Sequence, residues 1–278
     1  MKTIIYLLSA GVCAQAAKVN FSEAHKAGRV GVEAKSLGGH LDKCLALKLF
    51  NNTSSVQEVV LEPGLLFDSN NNNQQDLINT NSEIFTLQPG KTLTKHINAY
   101  CIQAHNMSPQ SEAKYTYRGF ADSSLLKVAN YINTNKVSGD LAQQALWVIS
   151  DKNDLESVNG GNEEQKKKML DFLSSTFKLK KKGNYELFYK HDPNMAFSGK
   201  VIRVKGKIDY DLAKAGYNSL VIQDASGTTY AIMYFKQFEK AGKHSKPFDF
   251  FTKGLASGVY YARVYSNQKL LKEEAIEI

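Results

Sequence analysis

Few residues of this chain have the types and spacing that a catalytic, covalent or metal-binding site requires. The cysteines are one such group. Cys13 lies in an apolar N-terminal stretch, so Cys44 and Cys101 are the two thiols of the chain beyond it. In an oxidising compartment such a pair is the default candidate for a disulfide bond. Strand alternation argues against the bond, because Cys44 lies opposite the leucines of its run whereas Cys101 shares the apolar face of its own. Disulfide and free thiols stay open as alternatives.

A polar loop between two predicted strands, residues 69–76, carries oxygen ligands at the spacing of a calcium-binding loop. The candidate ligands are Asp68, Asn70, Asn72 and Asp76. Asn73 stands where such a loop needs a glycine, and Asn79 stands where it needs a bidentate glutamate. We therefore predict a solvated Asn-rich loop, with calcium as the weaker alternative, and no other metal site.

Motifs of the common enzyme classes are missing from the sequence. There is no nucleophile elbow, Walker loop, dinucleotide fingerprint or HExxH zinc pair, and the six histidines lack paired ligand spacing. The carboxylate pair of a glycoside hydrolase has no fixed sequence spacing, so no motif would reveal it. We predict a binding protein without a catalytic site or a cofactor, and an exported hydrolase with an unidentified site is an alternative.

Positive charge is the one unusual feature of the composition. The 278 residues have a formal net charge of +8, and 42% of them are hydrophobic. One segment, residues 163–182, contains seven lysines: Lys166, Lys167, Lys168, Lys178, Lys180, Lys181 and Lys182. Nucleic-acid sites combine arginines with exposed aromatic rings, and this segment has no arginine, so we predict no nucleic-acid partner. The lysines instead predict a basic surface that attracts an anionic envelope surface or polysaccharide.

Residues 1–16 have the pattern of a Sec signal peptide. Lys2 precedes an apolar stretch over 3–14, and Ala14-Gln15-Ala16 is a small-x-small cleavage site. The apolar stretch is too short to span a bilayer, which needs about 20 residues, and no later segment is apolar enough. The sequence thus predicts an exported protein without a transmembrane segment. Its expected partner is a protein or polysaccharide at the envelope or cell surface, and its oligomeric state stays open.

The predicted fold is mainly β with a helical insert, an α+β fold in which two Ig-like β-sandwich domains flank a three-helix segment. Alternating runs separated by turn residues predict the first sandwich; they are 41–50, 56–62 and 92–103. This sandwich and the helices form a predicted N-terminal domain, residues 18–180. The second sandwich forms a predicted C-terminal domain, residues 185–278.

Helical periodicity and turn residues predict the boundaries of individual elements. Apolar residues at helical spacing over 122–180 predict three helices, whose N-caps are Asp122 or Ser123, Ser138 and Asn162. Residues 224–227 (DASG) predict a hairpin turn, and a second turn is predicted at 266–268. These elements place Cys101 on a strand and the glutamines of residues 143–144 on a helix.

A series of short motifs runs in order through the C-terminal region. A Pro-Asn start at 193–194 is followed by AKAGY, DASG, AGKHS and LASGVYYARV. In these motifs the region resembles the Ig-like C-terminal modules of proteins exported by type IX secretion, which are related to the Ig-like domain of flagellar hook-capping proteins. The resemblance covers about 85 residues, as expected for one Ig-like domain of ~100 residues. It implies a secreted, periplasmic or cell-surface protein of a Gram-negative bacterium.

Two further motifs are similar to those of the thioester domains of bacterial adhesins. Residues 143–147 (QQALW) match a Gln-x-Ala-apolar-Trp element, and Tyr100-Cys101 matches an aromatic-Cys element. This resemblance implies that the Cys101 thiol and the Gln143 side chain join in an internal thioester, which captures an amine or hydroxyl on a host surface. The two side chains would have to meet in a dry pocket. A thioester-forming adhesin is therefore an alternative function.

Overall fold

The computed structural model describes residues 18–192 and 194–278, and the predicted signal peptide lies outside the described residues. Within these residues the chain forms seventeen strands and four α-helices, which confirms the prediction of a mainly β fold with a helical insert. The strands are β1 (Lys18–Asn20), β2 (Val30–Ser36), β3 (Leu45–Asn51), β4 (Gln57–Leu61), β5 (Leu65–Asp68), β6 (Leu77–Asn79), β7 (Glu83–Leu87), β8 (Thr92–Ile97), β9 (Ala99–Cys101), β10 (Lys114–Phe120), β11 (Tyr185–Tyr189), β12 (Val201–Leu212), β13 (Gly216–Asp224), β14 (Thr229–Glu239), β15 (Gly242–Phe251), β16 (Val259–Ser266) and β17 (Lys269–Glu277). The helices are α1 (Phe21–Lys26), α2 (Ser123–Asn135), α3 (Gly139–Ser150) and α4 (Glu163–Phe177).

Two sheets enclose the first hydrophobic core. One has the strand order β1-β4-β7, and the other has the order β8-β3-β2-β10-β5-β6-β9. Alternation turns Leu45, Leu47 and Leu49 of β3 fully into the core between them. β1 runs parallel to β4, whereas β7 pairs with β4 in the antiparallel sense. The stretch from α1 to β3 supplies the long connection that a parallel pair requires.

The three predicted helices are α2, α3 and α4, and they form a second core against the back of β6 and β9. Ile78 and Tyr100 belong to this helical core, whereas their strand neighbours Leu77 and Cys101 face the first core. The predicted N-caps at Asp122 and at Asn162 are confirmed: each side chain accepts hydrogen bonds from the first-turn N–H groups of its helix. Alternation along β9 thus directs the Cys101 side chain into the first core, which Trp147 of α3 also joins.

The start of α3 uses a different partner from the one that the sequence predicts. The side chain of Ser138 makes no capping hydrogen bond. Instead, the Gly139 N–H donates to Asp42 Oδ1 over 3.1 Å, and the Tyr100 hydroxyl donates to the same oxygen over 2.7 Å. Asp42 therefore ties the first turn of α3 to β9 and to the loop before β3.

The C-terminal region contains two sheets around a third core. Their strand orders are β11-β12-β15 and β14-β13-β16-β17. The third core is formed by side chains from both sheets, among them Val204, Ile222, Phe248 and Val264. Both predicted turns are confirmed, at 224–227 between β13 and β14 and at 266–268 between β16 and β17.

Candidate functional site

Gln143 and Cys101, 42 residues apart in the sequence, are in direct contact. The Gln143 Oε1 accepts a hydrogen bond from the Cys101 N–H over 2.9 Å, and Gln143 Nε2 donates to the Cys101 carbonyl over 2.7 Å. Cys101 is 0% exposed and Gln143 is 1% exposed. The Gln143 carboxamide therefore lies along the backbone of Cys101. The motif resemblance pairs the thiol of this same residue with Gln143.

The local fold explains why these two residues meet. β9 is the last strand of the seven-stranded sheet, so its outer backbone groups have no further strand to pair with. Those groups are buried beneath α3, where an unpaired N–H or carbonyl would cost free energy. Gln143 lies in the second turn of α3, and its carboxamide offers a donor and an acceptor in the place of a strand. One side chain thus satisfies both edge groups of Cys101.

His40 and Trp147 border this contact. The Cys101 N–H also lies 3.3 Å from the His40 carbonyl. The rings of His40 and Trp147 are stacked with their centroids 6.4 Å apart, and Phe197 contacts Trp147 from another side. Trp147 follows Gln143 by four residues, so both side chains lie on the same face of α3. His40 also lines a pocket of about 570 Å³ that opens to solvent.

Burial dominates the electrostatics of the site. It raises the pKa of the Cys101 thiol well above its ordinary value, and nearby Cys44, Asp151 and Asp76 act in the same direction. Burial also lowers the pKa of His40, although Asp140 opposes the shift. At neutral pH the thiol is therefore protonated and His40 is uncharged. A buried, protonated thiol reacts slowly with reagents from solvent.

A disulfide and free thiols were the two open alternatives for Cys44 and Cys101, and the structure contains the free thiols. The Cys44 Sγ donates instead to the Ala99 carbonyl over 3.1 Å. Burial raises the pKa of Cys44 to about 12. The strand-alternation argument was incomplete, because Cys44 precedes β3 and both thiols belong to the first core.

The candidate calcium ligands are used within the protein. Asp68 accepts from the Asn70 N–H over 2.6 Å and is paired with Arg118 over 2.9 Å. The two carboxylate oxygens of Asp76 accept from the Ser69 N–H and from Gln103 Nε2. The remaining candidate, Asn72, offers its carbonyl to the Asn106 side chain over 3.2 Å. Over 18–192 and 194–278, no three or more His, Cys, Asp or Glu side chains are placed to hold a metal ion.

The predicted basic surface is smaller than the sequence indicates, and for Lys166 the prediction is wrong. Lys166 is only 8% exposed, and its ammonium contacts Glu186 of β11 over 2.6 Å and Glu163 over 3.0 Å. Lys182 is paired with Asp154 and Glu277, and Lys168 is paired with Glu164. The other lysines of the segment are exposed: Lys167, Lys178, Lys180 and Lys181. Charge pairing across the two regions of the chain therefore neutralises part of the segment.

Sequence reasoning missed the roles of His40 and Asp42. Both lie in the loop before β3, and no motif surrounds them. The one available signal is the polarity of that loop, which precedes a strongly apolar strand. Their contact with Cys101 and α3 depends on the position of β9, which the sequence does not reveal.

Comparisons of the chain with known proteins gave no match. No protein-family model matches it, and no curated protein or solved structure matches it. Among the described helices, none has the length and apolar character needed to cross a membrane. The function is therefore inferred from the geometry of the Cys101–Gln143 contact.

Proposed function

We propose that this chain is an exported protein of the envelope or cell surface that acts in binding or adhesion, and that it binds covalently through an internal thioester between Cys101 and Gln143. The observation that carries the proposal is the paired hydrogen bonding of the Gln143 carboxamide to the backbone of Cys101. These bonds join the carboxamide to the backbone of Cys101, and they hold Gln143 beside the residue whose thiol would attack it, which favours the reaction over the same groups free in solution.

The proposed reaction has two steps. The Cys101 Sγ attacks the Gln143 Cδ, the Cδ–Nε2 bond breaks, and Nε2 leaves as ammonia with the proton of the thiol. A primary amine of the partner then attacks Cδ, an amide forms, and the Cδ–Sγ bond breaks. The proton of the amine passes to Sγ, which restores the thiol. No oxidant or cofactor is needed in either step.

The surroundings of Cys101 support both steps. Its N–H points at Gln143 Oε1, where negative charge develops when Cδ is attacked. The burial of both residues keeps bulk water from the bond, and this slows hydrolysis of the thioester. His40, whose carbonyl lies 3.3 Å from the Cys101 N–H, also lines an open pocket, and we propose that a partner amine approaches from that side. A structural role for Gln143, satisfying the edge of β9, is compatible with the same contacts.

Intact mass spectrometry of the wild-type protein tests the proposal. We expect a mass lower than the sequence mass by one ammonia, and we expect methylamine to convert this species into an adduct on Gln143. The Cys101→Ser variant should have its full sequence mass and should not react with methylamine. Cys44→Ser is the matched control, because that thiol is equally buried in the first core and should leave the ammonia loss unchanged.

Other masses would contradict the thioester. A loss of two hydrogens would indicate a disulfide between Cys44 and Cys101. The full sequence mass, with two thiols that react after unfolding, would leave Gln143 as a structural partner of β9 only.

We further propose that the C-terminal region is an Ig-like sandwich that serves export of the type IX kind. The two sheets around a separate core support this part of the proposal, since Ig-like domains have seven or more strands in two packed sheets. Fractionation of cells that produce the chain with an internal tag tests it. Surface-exposed protein is expected, and full-length protein confined to the cytoplasm would contradict export.

A further inference from the structure

The outer face of the four-stranded C-terminal sheet contains an exposed aromatic groove. Alternation along β13 turns Leu220 and Ile222 into the core and leaves Tyr217 and Gln223 on the outer face. Phe235 of β14 completes the groove, which has a volume of about 760 Å³. Tyr217 is 58% exposed and Phe235 is 64% exposed. A contiguous exposed apolar patch, unlike a single exposed side chain, marks a binding surface.

A β-bulge in β14 lies at one end of this groove. The pairing of β14 with β13 shifts register between Tyr234 and Gln237, which inserts one extra residue into β14. Lys236 takes a left-handed backbone conformation there, with φ of 49°, and its N–H donates to the Ser219 hydroxyl over 2.9 Å. Left-handed backbone is costly for a residue with a side chain, and such strain concentrates at functional sites. The bulge places Lys236 beside Phe235, with its ammonium 5.2 Å from the ring centroid.

The polar groups of the groove are almost all neutral. Gln223 Oε1 accepts from the Tyr265 hydroxyl over 2.9 Å, and Gln223 Nε2 donates to the Thr229 hydroxyl over 3.0 Å. Among the described residues that line the groove, Lys236 is the only charged one. The groove therefore offers flat aromatic walls, amide and hydroxyl groups, and one positive charge.

We propose that this groove is a binding site for an acidic polysaccharide. The C–H faces of sugar rings pack on aromatic side chains such as Tyr217 and Phe235, and sugar hydroxyls exchange hydrogen bonds with amide and hydroxyl groups. A uronic-acid carboxylate complements the single ammonium of Lys236. The site is independent of the thioester, since it lies on the other region of the chain and uses neither Cys101 nor Gln143.

Calorimetric titration of the full chain with alginate oligomers tests the proposal, with dextran as the neutral polysaccharide. At about 0.15 M salt, where long-range attraction is screened, we expect alginate to bind and dextran to bind much more weakly. Phe235→Ala is expected to raise the Kd for alginate about tenfold, and Lys236→Gln is expected to raise it about fivefold.

Two matched controls separate the groove from general attraction to a basic protein. Phe251→Ala removes an equally exposed ring from β15 in the other sheet, and Lys167→Gln removes an exposed charge from α4. Both should leave the Kd within about twofold of the wild-type value. Equal losses in Lys167→Gln and Lys236→Gln, equal binding of dextran and alginate, or no binding of alginate would each overturn the proposal.

Discussion

Gln143→Ala is expected to lower the free energy of unfolding by about 2–4 kcal/mol, because it leaves the buried N–H and carbonyl of Cys101 without their side-chain partner. The measurement is best made in the Cys101→Ser background. No thioester can form there, so the comparison isolates the two hydrogen bonds from any covalent cross-link. Urea unfolding followed by far-UV circular dichroism gives the difference between the single and double variants.

The neighbouring glutamine provides the control for this experiment. Gln144→Ala in the same background removes a side chain of the same type from the same helix, but one whose Oε1 has no hydrogen-bond partner in the described part of the chain. We expect it to change the free energy of unfolding by less than about 0.5 kcal/mol. If Gln143→Ala were no more destabilising than Gln144→Ala, the paired contact on which the site depends would not exist in solution.

Glu239→Ala is expected to lower the free energy of unfolding by about 3 kcal/mol, since it removes the centre of a buried polar network. Glu239 Oε2 accepts from the Tyr210 hydroxyl over 2.6 Å and from Asn218 Nδ2 over 3.0 Å, and Glu239 Oε1 lies 2.6 Å from the Lys246 ammonium. Lys246 keeps some contact with water, so the effect falls at the low end for a broken buried pair. Exposed Glu273, paired with Arg263, is the matched control; Glu273→Ala should cost less than about 1 kcal/mol.

The effect of Glu239 should also depend on pH. Burial raises the pKa of this carboxyl, but the Lys246 ammonium and the Tyr210 hydroxyl outweigh burial, and the pKa lies below its ordinary value. A carboxyl whose pKa is lowered by folding stabilises the folded state above its unfolded pKa, and this contribution is lost as the pH falls through the folded pKa. Measured from about pH 7 to pH 3, the difference between wild type and Glu239→Ala should therefore be full near pH 7 and shrink as the pH falls below about 4.3, the ordinary pKa of a glutamate. A difference that stays constant over this range would contradict the ionised network.

Much of the local structure could be predicted because it depends on neighbouring residues. The side chain of Asp122 reaches the free N–H groups of the first turn of α2 from the adjoining position, so type and position suffice to identify the cap. The turn at 224–227 follows in the same way from its own residues, with Gly227 in the left-handed conformation that glycine favours. Ser138 shows the limit of this reasoning. It has the right type and position, but its side chain makes no capping bond, and Asp42, distant in the sequence, accepts from the first N–H of the helix instead.

The candidate site could be predicted only in part. The motif resemblance named Cys101 and Gln143 together, and the structure brings them into contact. It did not reveal that the carboxamide pairs with the backbone of Cys101, because that depends on β9 being the last strand of its sheet. His40 and Asp42 could not be identified at all, since their roles arise from the loop that crosses the end of β9.

By itself, the sequence determined the mainly β character of the chain, the positions of its three long helices and its hairpin turns. These features follow from the periodicity of apolar residues and from interactions between residues a few positions apart. A short stretch of the sequence contains all the information they need. The tertiary structure alone decided which distant groups meet. It buried Lys166 between two glutamates instead of exposing it, left Cys44 and Cys101 as free thiols, and placed a strained Lys236 beside an exposed ring. Each of these outcomes depends on how the sheets and helices pack. The burial of a side chain, and the group that it contacts, are set only when these elements come together.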